Sequence, residues 1–107
     1  MSTTVPLGRV LATPAALTYL RALGEEARTY LGRHAAGDYG MTSDEDAAAN
    51  NAAIEGGRVY GRVMSSYRLD PSNDDGIGDL WVITEPIDTD EDDQPLAGTT
   101  VLLPSDY

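Results

Sequence analysis

Apolar residues recur at two spacings along the chain, and the change from one to the other divides it. Ala16, Leu20, Leu23, Ala27, Tyr30, Leu31 and His34 follow one another at steps of mostly three or four, which lays one stripe along a helical surface. Thr13-Pro14 ahead of the stripe reads as an N-cap with proline at the first helical position. Gly24 interrupts the stripe, so the spacing predicts two helices, about 14–23 and 25–35, rather than one rod. Gly37-Asp38-Tyr39-Gly40 is turn chemistry, with Asp38 expected to cap local amides and Tyr39 to cover the core. Ser43 followed by Asp44, Glu45 and Asp46 is a helix start, where the acids meet the positive end of the dipole. The alanine-rich run that follows predicts a third helix to Glu55, stopped by Gly56-Gly57. Asn50 and Asn51 are poor residues in mid-helix, so one of them faces solvent or holds a specific hydrogen bond.

Beyond residue 57 the period falls to two. Arg58–Leu69 alternates, with Val59, Val63, Tyr67 and Leu69 on one face and Arg62, Ser66 and Arg68 on the other. Leu80–Glu85 and Thr99–Leu103 are short β-branched and aromatic runs, in which Trp81 reads as core. Val5–Leu11, broken by Pro6 and Gly8, reads as an edge strand or an extended lead-in. The fold class expected is α+β: two or three N-terminal helices on one face of a three- to four-stranded antiparallel meander. Residues 1–107 form one domain, with a helical half at about 13–57 and a sheet half at about 58–107. The sheet half carries acidic loops at 70–79 and 86–98.

Charge changes that picture. The net charge is −11, from 18 acids against seven arginines and no lysine. Residues 1–69 are neutral overall, and the whole excess lies in residues 70–107, which hold eleven acids and no base. Such a chain repels nucleic acid and anionic membranes, so direct contact with either is not expected. The absence of cysteine excludes disulfides, thiol nucleophiles and cysteine-ligated metal sites. No apolar run reaches the roughly 18 residues of a membrane span, and no basic-then-apolar leader opens the sequence, so a cytoplasmic protein is expected.

Several motifs together resemble a known family. They are Leu7-Gly8-Arg9-Val10, Ala12-Thr13-Pro14, the stretch from Arg33 to Gly40, Glu45-Asp46 with Asn50, Ser65-Ser66-Tyr67, Leu80–Glu85, and Thr99–Pro104 with Asp106-Tyr107. In this order they resemble the small "plasmid-related" proteins of plasmids, integrative elements and phages of Gram-negative bacteria. The resemblance implies a mobile-element origin but no established activity. Members are sometimes labelled type I restriction modification subunits. A chain of 107 residues cannot hold a methyltransferase domain, and it carries neither a glycine-rich cofactor loop nor the Asn/Asp-Pro-Pro-Tyr/Phe motif. Against the family pattern, Tyr39 replaces a tryptophan, and the loops at Asp70–Asp79 and Pro86–Gly98 are longer and more acidic.

Two function classes compete. In the first, Asp70, Asp74, Asp75, Asp79, Asp88, Asp90, Glu91, Asp92 and Asp93 imitate nucleic-acid phosphates for a protein partner with a basic surface. That partner would be a nucleic-acid-handling defence complex, and the protein a non-enzymatic, anti-restriction or anti-CRISPR-like inhibitor. One geometric objection applies: the two loops leave opposite ends of the central strand, roughly 20 Å apart. In the second, His34, Arg62, Arg68 and Glu85 serve a metal-independent, RNase-like or toxin-like enzyme. A third reading is a small regulatory or structural homodimer whose acids only solvate it, with arginines paired to its own acidic loops. No cofactor and no dedicated metal site is expected. Asp88-Thr89-Asp90-Glu91-Asp92 starts like an EF-hand loop, but Asp93 stands where glycine is needed and Thr99 where glutamate is needed.

Overall fold

The structure, a computed structural model, describes residues 4–69 and 79–107. Strand β1 (Arg9–Ala12) leads into helices α1 (Pro14–Ala22), α2 (Ala27–Ala35) and α3 (Asp44–Ala52). A small hairpin follows, β2 (Ile54–Glu55) and β3 (Arg58–Val59), and then the long strands β4 (Val63–Arg68), β5 (Asp79–Thr89) and β6 (Pro95–Leu102). A 3-10 turn at Pro104–Asp106 ends the chain.

The helix ends form where the capping chemistry puts them. The Thr13 hydroxyl accepts the Ala16 N–H at 3.1 Å, and Ser43 accepts that of Asp46 at 3.2 Å. Gly24, at φ +70°, takes the left-handed turn between α1 and α2. α3 stops three residues short of the expected Glu55. Gly56 and Gly57 both have positive φ, the requirement of a two-residue hairpin turn, so Ile54–Glu55 turns back onto Arg58–Val59 as strand. The expected strand over 58–69 is therefore broken at Tyr60–Arg62 into β3 and β4.

The main sheet runs β1-β6-β5-β4. It is mixed and not an antiparallel meander, because β1 pairs parallel to β6, from Arg9 opposite Gly98 to Ala12 opposite Val101. The remaining pairs are antiparallel. Nor do the helices all precede the sheet or share one face: β1 comes before α1, and α3 lies along the outer edge of β4. β5 and β6 extend past their expected ends, pairing Pro86 with Ala97 and Thr89 with Pro95. Most of the expected loop at 86–98 is thus strand.

Strand alternation separates the two faces. Leu80, Val82, Val101 and Tyr67 meet Ala16, Leu20 and Tyr30 in the main apolar cluster. A second cluster joins Val5, Tyr39, Val59 and Val63, with the N-terminal segment tied down by Val5 N–H to Ala35 C=O at 2.8 Å. The opposite face, with Met64, Ser66, Arg68, Trp81, Ile83 and Glu85, carries the closing turn and Tyr107, whose ring stands edge-on to Trp81.

The edge of β4 is closed by unlike devices. The Asn50 side chain donates to the Met64 C=O at 2.8 Å and accepts the Met64 N–H at 3.0 Å, standing in for a strand. Ser66 N–H and C=O pair with Tyr39 C=O and Met41 N–H. Gly40 makes this approach possible, since a Cβ there would lie 2.2 Å from the Ser66 oxygen and φ is +67°. Both mid-helix asparagines are thereby explained, because the Asn51 amide oxygen accepts the Tyr39 hydroxyl at 2.8 Å.

Candidate functional site

Beyond Thr84, β5 and β6 leave the body of the protein as a two-stranded arm. Residues 80, 82, 83 and 84 of β5 are buried, whereas Glu85, Pro86, Ile87, Asp88 and Thr89 are all exposed. The pairing slips between Pro86 and Asp88, and the displaced Ile87 folds over Gly98, where a Cβ would lie 2.6 Å from its Cδ1. At the tip, the Asp90 carboxylate accepts the N–H groups of Gln94 (3.0 Å) and Asp92 (2.9 Å). Asp93 completes the turn at φ +59°. The β2–β3 hairpin braces this tip. Arg58 reaches Asp90 at 3.2 Å and the Pro95 carbonyl at 3.3 Å, and the Tyr60 hydroxyl donates to the Gln94 amide oxygen at 3.3 Å.

The result is an ordered acidic end. Asp90 is held below the usual carboxylate range by the Gln94 and Asp92 amides and by Arg58. Its oxygens are thus turned inward, while Asp88, Glu91, Asp92 and Asp93 face solvent. Among the described residues, Arg58 alone brings a positive charge to the tip.

The nine acids singled out from the sequence do not make one surface. Asp79 begins β5 and Asp90 follows its end, so the two are separated by about 35 Å of strand. Asp79 is moreover 8% exposed, facing Arg68 at 3.5 Å. Asp70, Asp74 and Asp75 lie outside the described residues. The structure therefore groups Asp88, Asp90, Glu91, Asp92 and Asp93, with Glu85 on the same arm.

The four residues of the enzymatic alternative are placed on two sides of the sheet. His34 has no exposed surface. Its ring sits between Ser65 Oγ (2.5 Å from Nδ1) and Thr84 Oγ1 (2.9 Å from Nε2). Thr84 in turn meets Thr99 at 2.7 Å, and the Thr99 hydroxyl donates to the Leu7 carbonyl at 2.6 Å. Counting protons fixes every link. Thr99 gives its proton to Leu7, so Thr84 donates to Thr99, His34 Nε2–H donates to Thr84, and Ser65 donates to Nδ1. A neutral imidazole satisfies the whole chain, and burial pushes the His34 pKa down to about 4. Arg68 and Glu85 project from the other face, and Arg62 lies with them, donating to Tyr107 Oη at 2.7 Å and lying 3.4 Å from Met64 Sδ. No single phosphate can touch all four.

Between α3 and the helix-free face lies a groove of about 670 Å³, lined by Met41, Asp46, Arg62, Met64, Asp79 and Trp81 among others. It joins two acids and one arginine with the hydroxyls of Thr42, Ser43 and Ser66 and soft apolar walls. Among the described residues, no three His, Cys, Asp or Glu side chains gather as metal ligands. None of the helices described is long and apolar enough to cross a membrane. Compared with protein-family models, curated proteins and solved structures, the chain finds no match.

Sequence reasoning missed the arm and the His34 relay. The arm's signal was present in the alternation of Ile87, Thr89, Pro95 and Ala97, but prolines and acids masked it as loop. Thr84 and Thr99 stand in runs already read as strand, yet nothing in one dimension aims either at residue 34.

Proposed function

We propose that this is a non-enzymatic interaction protein of the cytoplasm, encoded by a mobile element of the kind its motifs resemble. It acts as an acidic inhibitor of a host nucleic-acid-handling defence complex. The working part is the β5–β6 arm, which offers Asp88, Glu91, Asp92 and Asp93 to a basic surface that otherwise receives phosphates. The observation that carries the reading is the bracing of the tip. Arg58, Tyr60 and the Asp90 turn order a cluster of like charges that a merely solubilising loop would leave loose. Asp79 drops out of the proposed contact because it is buried at the other end of the strand.

The test is capture from a lysate of the native host, washed in parallel at about 50 mM and about 500 mM salt. A nucleic-acid-binding complex held at low salt and largely lost at high salt is the expected result. Reversing Asp88, Glu91, Asp92 and Asp93 together to lysine should abolish capture without lowering the melting temperature. Capture unchanged by that reversal refutes the reading.

A further inference from the structure

The helix-free face of the sheet contains a mismatch that a second copy of the chain would resolve. Arg9 on β1, Gly98 on β6 and Glu85 on β5 are direct neighbours in one row and point to the same side. Two strand spacings put Arg9 and Glu85 about 10 Å apart, with no side chain on the glycine between them. Neither has an ion-pair partner among the described residues, and both are exposed. Around this row the exposed side chains are mostly apolar, with Asp88 opposite Leu96 as the acid among them. Leu11 (55% exposed) lies in the next row with Thr100, Ile83 and Met64. Leu96 (42%) lies in the row on the other side, and Ile87 (54%) is folded over Gly98 itself.

We infer that this face pairs with the same face of a second molecule, about a two-fold axis running along β6. Such an axis carries β1 of one copy over β5 of the other. Arg9 then meets the partner's Glu85 and Glu85 meets the partner's Arg9, the reciprocity that defines an isologous contact. The sheets lie about 10 Å apart, the distance at which Leu11, Ile87 and Leu96 interdigitate with their counterparts. Charge selects this occupant over others. On a chain of net charge −11, this face balances Arg9, Arg62 and Arg68 against Asp79, Glu85 and Asp88. A basic partner is drawn to the acidic tip instead, and nucleic acid is repelled by the molecule as a whole. The same axis leaves both arms projecting from one end, so the like charges of the two tips are the cost that the apolar contact must overcome.

Sedimentation equilibrium of the purified 107-residue chain over a wide concentration range tests this without any host partner, so its outcome is independent of the function proposed above. Wild type is expected to form a dimer. Glu85→Arg or Arg9→Glu alone should weaken it by about tenfold or more, because each places like charges opposite one another at both ends of the row. The double variant Arg9→Glu/Glu85→Arg should recover wild-type affinity to within about threefold, a rescue that a merely local structural role would not give. Leu11→Asp should leave a folded monomer that melts where wild type does when diluted below its dissociation constant. A wild-type chain that stays monomeric up to about 1 mM overturns the inference, as does a dimer that all these variants leave intact or a double variant no better than the singles.

Discussion

The two halves of β5 belong to one strand and share one partner, β6, yet they do opposite work. The inner half, Leu80–Thr84, is buried against α1 and α2 on one face, and its last residue anchors the His34 relay. The outer half, Glu85–Thr89, is wholly exposed and ends in the acidic tip. The β6 ladder continues through both, but β4 pairs only with the inner half, from Asp79 to Thr84. The other difference is whether a second layer covers the strand. Where it does, even polar groups must find partners, and Ser65, His34, Thr84 and Thr99 form a chain with none left over. Where it does not, charge can accumulate with little penalty to the fold.

The largest break in this comparison comes from the inner half. His34→Leu takes the Nδ1 acceptor from the buried Ser65 hydroxyl and the Nε2–H donor from Thr84, and should cost about 4 kcal/mol in chemical denaturation. A loss below about 1 kcal/mol would mean that water already reaches the relay.

The next effect is on pH. Folded His34 stays neutral down to about pH 4, with Ser65, Thr84 and the Tyr39 ring around it and, among the described residues, no charged group in contact. In the unfolded chain it protonates near 6.5, so between about pH 6.5 and 4 the unfolded state binds a proton that the folded state does not. Stability should therefore fall by about 3 kcal/mol as pH drops through that window, and level off below it as far as this residue is concerned. Asp38, Asp90 and Asp106 are all held below the ordinary carboxylate range, so their contributions disappear at lower pH. Melting curves of wild type and His34→Gln across the window should converge as pH falls. Parallel curves would remove His34 as the cause.

A smaller effect concerns the β4 edge. Asn50→Ala takes away both bonds to Met64 and should cost about 2 kcal/mol, with faster aggregation on prolonged incubation as the edge opens. The smallest stability effect belongs to the outer half. Reversing the four solvent-facing tip acids should shift folding free energy by no more than about 0.5 kcal/mol while removing partner binding altogether. If that reversal instead unfolds the protein, the arm is part of the folding core and the contrast between the two halves fails.

How much of this was legible depended on range. The Thr13 and Ser43 caps, the break at Gly24 and the alternation of Val63 and Tyr67 with Ser66 and Arg68 are local rules, and each element stands within a few residues of where they put it. Gly56-Gly57 was read as a stop when it is also a hairpin turn, because Ile54 and Glu55 are too few to show a strand period. The apolar stripe placed His34 in the core, but an imidazole on a stripe looks the same whether it meets hydroxyls or water. The acidic segment was visible as charge and misread as shape, since pairing across the arm links Asp88 to Leu96 and is not written in either strand alone.

Composition and periodicity by themselves determined that this chain makes both helices and strands, that it lacks thiol chemistry, and that its negative charge gathers in the last third. These are properties of residue type and near neighbours, which no fold can alter. Only the tertiary structure decided that β1 runs parallel to β6, that Asp79 is buried while Asp88 is exposed, and that His34 ends its hydrogen bonds on Ser65 and Thr84. Each of those outcomes depends on which distant segment reaches a given strand first and excludes water from it. That competition is settled by packing the whole chain at once.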